Sequence, residues 1–288
     1  MLGLAISGLA KAEIPYQAVG KITVSNISRL GLPVGNVGTG ILVSHEGYFL
    51  TNFHNIVGCF RAENENPRRQ PASLVGRPCR AKVTIDFVNA KVPIQIHEFT
   101  IVNLGSIGID LDQHLYRDWA VLKISHPKLR QIPLPKIADQ NENDGDIRIL
   151  GFPAQPVGSV VKVGTDMRLT AGRLVDYQKT MANWVKIYSA LALNVTQFQD
   201  LLLTVKRNFF RDNESLFHNA PIFPGYSGGP IFNGKDEMIG ITWGSLTVWN
   251  EDYGPMPHEQ LGLDFRRPEK LSNQLATGLR ASAIMKRL

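Results

Sequence analysis

Residues 225–230 of the 288-residue chain read Gly-Tyr-Ser-Gly-Gly-Pro, so three glycines flank a single serine. Glycine permits backbone angles and close approaches that other residues disfavour. Such a turn can aim two backbone N–H groups, those of Gly225 and Ser227, at one point in space. Donors in this arrangement stabilise an oxyanion on an acyl group. The segment therefore predicts a nucleophilic serine at Ser227, with an oxyanion hole beside it.

Short apolar runs separated by turn residues surround this segment. The chain holds 26 glycines and 17 prolines spread along its length, which favours many short strands rather than a linker. The runs that predict strands are 17–24, 38–44, 49–52, 82–87, 91–96, 99–102, 120–124, 147–153, 157–163 and 238–243. We therefore expect an all-β protein. A short helix is predicted near residues 282–288.

Residues 177–210 depart from this pattern. Apolar side chains recur there at spacings of three and four residues, which predicts a pair of inserted helices. The insert is expected to pack its apolar stripe on the β-structure, with a lid, a docking face or an oligomer contact as the alternatives.

A serine nucleophile needs a base and a carboxylate that orients the base. His54 follows the apolar run at 49–52, so a strand end can hold its imidazole at a cleft. Asp118 directly precedes the apolar run at 120–124, where an unpaired carboxylate is costly and a histidine partner would compensate. Asp110 and Asp112 are rivals, but neither leads directly into such a run. The order His, Asp, Ser along the chain predicts a catalytic triad of His54, Asp118 and Ser227.

Residues 225–230 resemble the Gly-Asp-Ser-Gly-Gly-Pro segment of trypsin-like peptidases. Residues 51–54 (Thr-Asn-Phe-His) and 118–122 (Asp-Trp-Ala-Val-Leu) are similar to the corresponding segments of the bacterial HtrA-type and glutamyl-endopeptidase branches. The resemblance implies the chymotrypsin fold, in which two six-stranded antiparallel β-barrels pack together. The domains would then be 14–135 for the first barrel and 136–288 for the second. No PDZ-like domain is expected after the second barrel.

The resemblance also bears on specificity and activation. The strand at 240–244 resembles the one that pairs with bound peptide, so Thr242, Trp243 and Gly244 are expected to contact substrate. Ile222 is expected to line the specificity pocket. Pro221, six residues before Ser227, stands where trypsin carries an aspartate, and Thr242 stands where glutamyl endopeptidases carry a histidine. Ile222 stands where HtrA-type members also carry an isoleucine. The resemblance therefore implies a pocket for small or medium apolar residues. Tyr226 replaces the aspartate that pairs with a freed N-terminus in zymogens, so activation by that route is not expected.

Two other functions compete with a peptidase. Gly-Tyr-Ser-Gly-Gly also fits the Gly-x-Ser-x-Gly elbow of α/β-hydrolase esterases, with Asp236 or Asp252 and His258 as nominal partners. That elbow requires a following helix, whereas Pro230 and its apolar successors predict a strand. The second alternative is a catalytically silent binding module with a protease fold.

The remaining composition sets limits on partners. The net charge is +6, but the basic residues are scattered, so a polypeptide substrate is expected rather than nucleic acid. No cofactor, metal site or membrane span is predicted. Cys59 and Cys79 either form one disulfide or stay as buried thiols. Residues 1–13 are either a signal peptide or a packed N-terminal segment, and a secreted or periplasmic location is favoured over a cytoplasmic one.

Overall fold

The computed structural model describes most of the β-structure predicted above. Its described residues are 14–27, 33–60, 74–76, 79, 82–91, 93–105, 118–139, 145–157, 160–163, 166–175, 215–245, 249–250, 254–255 and 276–286. The predicted N-terminal segment at 1–13 and the predicted helical insert at 177–210 lie outside these ranges, as do Asp110, Asp112, Asp252 and His258.

The first sheet, as far as the structure describes it, has seven strands in the order β5-β4-β1-β2-β3-β7-β6. They are β1 (Val19–Ile27), β2 (Pro33–Leu42), β3 (Tyr48–Thr51), β4 (Lys82–Phe87), β5 (Ile94–Ile96), β6 (Thr100–Leu104) and β7 (Ala120–Lys123). Each neighbouring pair is antiparallel.

The second sheet has six described strands in the order β11-β8-β13-β14-β17-β12, and its pairs are also antiparallel. They are β8 (Asp146–Gly151), β11 (Arg168–Arg173), β12 (Ser215–His218), β13 (Pro230–Asn233), β14 (Met238–Ser245) and β17 (Ala276–Arg280). Two hairpins stand outside the sheets, β9 (Ala154–Val157) with β10 (Val160–Val163) and β15 (Trp249–Asn250) with β16 (Gly254–Pro255).

The described helices are short. The 3-10 helices are Tyr16–Ala18, Phe53–Asn55, Val57–Phe60 and Pro127–Gln131, and α1 (Ala281–Met285) follows β17. The predicted C-terminal helix is therefore present, with slightly earlier bounds. None of the helices within the described ranges has the length and apolarity needed to cross a membrane.

The strands form because their side chains alternate between core and surface. In β4, Val83, Ile85 and Phe87 are buried while the two residues between them are partly exposed. Successive side chains of a strand point to opposite faces of the sheet, so this pattern places one face of β4 on the core. The partly exposed face carries a cross-strand ion pair, in which Lys21 Nζ lies 3.7 Å from Asp86 Oδ2.

One apolar cluster joins the two sheets. It contains Phe49 and Ile22 from the first sheet together with Phe232 and Ile241 from the second. A smaller cluster around Ile149 and Ile231 belongs to the second sheet. The prediction of an all-β protein with two packed antiparallel sheets is confirmed, with seven described strands in the first sheet instead of six. The domain boundary at 135/136 lies in the connection between β7 and β8 and stays a prediction.

Cys59 and Cys79 are joined by a disulfide. Of the two alternatives left open by the sequence, the structure therefore has the bonded one. The bridge ties the 3-10 helix Val57–Phe60 to the segment just before β4.

Candidate active site

His54 and Asp118 meet because the strands that carry them are neighbours. Strand β3 ends at Thr51 and β7 begins at Ala120, and these two residues are paired in the antiparallel ladder. The C-terminal end of one antiparallel strand lies beside the N-terminal end of its partner. The residues just beyond Thr51 and just before Ala120 therefore share one edge of the sheet.

The contacts between the two side chains are direct. His54 Nδ1 bonds to Asp118 Oδ2, and the His54 backbone N–H donates to Oδ1 at 2.9 Å. The Asn52 side-chain amide donates to the Asp118 main-chain oxygen at 2.7 Å. Asp118 is thus held through both carboxylate oxygens and its backbone.

Burial and charge act in opposite directions on Asp118. Burial alone would raise the pKa of this carboxyl group. The charge of His54 and hydrogen bonds from the His54 ring, the His54 backbone and the Trp243 indole outweigh burial, so the pKa lies below its ordinary value. A carboxylate in this state stays ionised at neutral pH. It can orient the imidazole and stabilise its protonated form.

Ser227 lies in a turn that only glycine neighbours allow. Gly225 and Gly228 have φ of +92° and +83°, in the left-handed region. A Cβ on Gly228 would approach Thr39 O to 2.1 Å, so a larger residue would displace the turn from β2. Within the described part of the chain, the backbone N–H groups of Gly225 and Ser227 have no acceptor. They remain available as a donor pair.

Thr39 of the first sheet fixes this turn through hydrogen bonds to its backbone. Thr39 N–H donates to the main-chain oxygen of Ser227 at 2.8 Å, and Thr39 Oγ1 donates to Gly225 O at 2.7 Å. Thr39 Oγ1 also accepts from the N–H of Phe152 at 3.0 Å. Thr39 is fully buried. One threonine of β2 therefore fixes the serine turn and the end of β8 together.

The Ser227 hydroxyl donates to the main-chain oxygen of Trp243 at 3.2 Å. The hydroxyl of Ser227 thus faces β14, and Trp243 also contacts Asp118 through its indole N–H at 2.7 Å. Trp243 was expected only to contact substrate. The sequence gives no signal for its bond to the carboxylate.

The other expected substrate-contacting residues lie near the serine turn. Ile222 is buried in the apolar cluster of the second sheet, together with Tyr226. Thr242 is buried beside the turn, since its N–H donates to Gly229 O and its oxygen accepts from Gly228 N–H, both at 2.8 Å. Gly244 pairs with Thr277 of β17.

The described residues form neither a metal-binding group nor the turn and helix of the esterase elbow. The described ranges contain no group of three His, Cys, Asp or Glu side chains placed to hold a metal ion. The residues after the serine form the strand Pro230–Asn233, not the helix that the elbow requires. Asp236 pairs with Arg148 at the turn between β13 and β14. The elbow alternative is therefore wrong.

Two solved structures are similar, an HtrA-type protease AlgW with a tripeptide and a variant of that protease with a tripeptide. For each, the TM-score is 0.48 and the identity 15%, over 95% of this chain and 59% of that chain. The chain therefore spans about three fifths of the length of these proteins.

No curated protein matches the chain in sequence. The model of the trypsin-like peptidase domain matches residues 38–241, a range that contains His54, Asp118 and Ser227. That range is well over half of the chain. The chain belongs to the family of trypsin-like peptidase domains.

Proposed function

We propose that the chain is a serine endopeptidase in which His54, Asp118 and Ser227 form the catalytic triad. The observation that carries the proposal is the double contact between His54 and the two oxygens of the Asp118 carboxylate. This pairing orients one ring nitrogen of His54 toward Asp118. The glycine turn of Ser227 lies on β2, next to the strand that leads to His54.

The chemistry follows from these groups. His54 accepts the proton of the Ser227 hydroxyl as the serine oxygen attacks the peptide carbonyl carbon, and Asp118 stabilises the imidazolium that forms. The backbone N–H groups of Gly225 and Ser227 bind the oxyanion. His54 then gives its proton to the leaving amine, and an acyl-enzyme remains on Ser227. Water, activated by His54, hydrolyses the ester and restores the free hydroxyl.

The proposed substrate is a polypeptide with a small or medium apolar residue before the cleaved bond. Ile222 is buried among apolar side chains, and the fully buried Thr242 carries no charge. A buried charged substrate side chain would find no opposite charge on these residues and would pay its desolvation cost. Profiling of cleavage sites in a peptide library checks this; a strong preference for Arg, Lys or Glu would contradict it.

Labelling with a fluorophosphonate probe tests the function itself. The wild-type protein should react at Ser227, and Ser227→Ala should not react. Asp118→Asn and His54→Gln should each lower the labelling rate and peptide turnover by on the order of 10⁴-fold. Ser44→Ala is the matched control, since Ser44 lies between β2 and β3 and bonds to the backbone N–H of Glu46.

The same experiment separates an enzyme from a silent binding module. The Ser227 hydroxyl donates to the Trp243 carbonyl, so the hydroxyl must turn toward His54 before it can react. A protein that stays folded but is never labelled at Ser227 would favour the binding module.

A further inference from the structure

Trp243 contacts two members of the proposed triad at once. Its indole N–H donates to Asp118 Oδ2 at 2.7 Å, and its main-chain oxygen accepts from the Ser227 hydroxyl at 3.2 Å. Asp118 lies just before β7 of the first sheet, whereas Ser227 lies just before β13 of the second. One residue of β14 therefore joins groups that the two sheets deliver separately.

A β-bulge directs the indole to this place. In the ladder between β14 and β17, Thr242 is opposite Gly278 and Gly244 is opposite Thr277, so the register shifts at Trp243, which is the extra residue of the bulge. The extra residue of a bulge bends the strand and re-aims a side chain, often beside an active site. Without the bulge, the alternation along β14 would set the direction of the Trp243 side chain.

The indole supplies a constraint that His54 cannot supply. Among the described residues, Asp118 receives three hydrogen bonds on its carboxylate, and the other two both come from His54. These two donors would allow the carboxylate and the imidazole to shift together relative to Ser227. A donor on β14 resists that shift, because β14 also borders the serine turn through Thr242.

We propose that Trp243 is a positioning residue of the triad, one that acts through Asp118 and holds its carboxylate in register with Ser227. This inference rests on the proposed peptidase function. It differs from the role expected from the sequence, which is contact between Trp243 and the substrate. A substrate-contacting residue changes KM and binding, whereas a residue that acts through Asp118 changes the chemistry of the triad.

The variant Trp243→Phe removes the indole N–H and keeps an aromatic ring. A small fluorophosphonate makes few contacts beyond the serine, so its second-order labelling rate reports the triad. We expect Trp243→Phe to lower this rate by roughly 10- to 100-fold, the range of a hydrogen bond to a charged group. Tyr48→Phe is the matched control, because Tyr48 begins β3 at the end opposite His54.

The pH profile of labelling gives a second measurement, which a loss of packing alone would not shift. When the Asp118 carboxylate loses the Trp243 donor, its negative charge interacts more strongly with the protonated ring of His54. The ascending limb of the profile should therefore move to higher pH in Trp243→Phe. An unchanged rate with an unchanged limb would overturn the proposal.

A double-mutant cycle with Asp118→Asn shows whether the indole acts through the carboxylate. In the Asp118→Asn background, Trp243→Phe should cost less than about threefold, since the partner that it orients is no longer ionised. An equal loss in both backgrounds would overturn the proposal. Wild-type protein that is never labelled would contradict the proposed function instead, and so the two failures are distinct.

NMR of the Ser227→Ala protein tests the contact without any activity and without replacing Trp243. The indole N–H signals of the four tryptophans are assigned with single Phe replacements of Trp119, Trp184 and Trp249. The signal of Trp243 should shift on Asp118→Asn and should follow the titration of His54. A signal that stays unchanged in both measurements would overturn the proposal even if Trp243→Phe does not fold.

Discussion

The Asn55 side chain joins the two sheets, since its Nδ2 donates to the main-chain oxygen of Ser227 at 2.8 Å. The same amide donates to Thr51 Oγ1 at 3.0 Å, and Thr51 Oγ1 donates to Thr39 O at 2.7 Å. Thr39 N–H in turn donates to the Ser227 oxygen. The residue that follows His54 thus closes a ring of hydrogen bonds around the backbone of the proposed nucleophile. All the side chains of this ring are buried.

Asn55→Asp should weaken both the fold and the activity. The carboxylate has the shape of the amide but no N–H, so it would face the Ser227 oxygen without a donor and would bury a charge. We expect a loss of about 1–3 kcal/mol in the free energy of unfolding, together with slower fluorophosphonate labelling at Ser227. Denaturant unfolding and labelling rates measure the two effects.

Asn89→Asp is the control for that substitution, because Asn89 is exposed and its amide contacts, among the described residues, only the sulfur of Met167, with Nδ2 and Sδ 3.8 Å apart. Gly38→Ala gives an independent test of the same ring. A Cβ on Gly38 would lie 2.2 Å from Asn55 Cγ, so it should displace the amide and slow labelling as Asn55→Asp does. Labelling at the wild-type rate in both Asn55→Asp and Gly38→Ala would show that the ring does not position Ser227.

The sequence predicted the parts of the site that depend on local order. His54 and Asp118 each adjoin an apolar strand, and pairing of those two strands is enough to bring the side chains together. Asn55 was not predicted, because its contact with Ser227 spans 172 positions of sequence. The direction of the Trp243 indole was not predicted either. It depends on a bulge between β14 and β17, and the alternation of apolar residues in the sequence does not indicate that bulge.

Tyr226 stands where trypsin-like zymogens carry an aspartate, and it is fully buried. Its ring packs near that of Phe223 with the centroids 5.8 Å apart. Burial raises the pKa of the Tyr226 phenol to about 12, although the charge of Arg168 acts in the opposite direction. Within the described residues the phenol oxygen has no hydrogen-bond partner. Packing rather than an ion pair therefore holds this end of the serine turn.

Two substitutions of Tyr226 should consequently change the stability of the protein in opposite directions. Tyr226→Phe removes an unpaired buried hydroxyl, so it should leave labelling unchanged and alter stability by at most about 1 kcal/mol, on the stabilising side. Tyr226→Asp buries a carboxylate in the same space and should lower stability by about 3 kcal/mol or more. Thermal melting and labelling distinguish these outcomes. Full activity in Tyr226→Asp would contradict the role of packing.

The Cys59–Cys79 disulfide closes a loop with a sequence separation of 20, directly after the turn that carries His54. Cys59 N–H donates to Ile56 O and Ile56 N–H donates to Phe53 O, both at 2.9 Å, so the bridge is coupled to that turn. Removing a bridge of this loop size should cost about 3 kcal/mol of stability. Replacing both cysteines with alanine tests this in denaturant unfolding.

Reductant provides the control for the disulfide. It should destabilise the wild-type protein by a similar amount and have no effect on the Cys59→Ala/Cys79→Ala variant. If reductant exposes two thiols in the wild-type protein without changing its stability, the bridge does not contribute as expected.

His218 should make the fold sensitive to mild acid. Its side chain is fully buried in β12, and neither ring nitrogen has a hydrogen-bond partner in the described part of the chain. Burial lowers the pKa of His218 to about 3, and the nearby Ala220 backbone offsets only part of this effect. Below the ordinary histidine pKa of 6.5 the unfolded chain binds a proton that the folded chain excludes.

The free energy of unfolding should therefore fall as the pH drops from 6.5 toward 3, by up to about 1.4 kcal/mol per pH unit from this group. The variant His218→Leu cannot bind the proton, so its stability should fall less, by roughly 1–2 kcal/mol between pH 6.5 and 5. Denaturant unfolding at several pH values measures the difference. His97→Gln, at an exposed histidine, should keep the wild-type dependence. Parallel pH curves for the wild type and His218→Leu would mean that His218 is protonated in the folded protein.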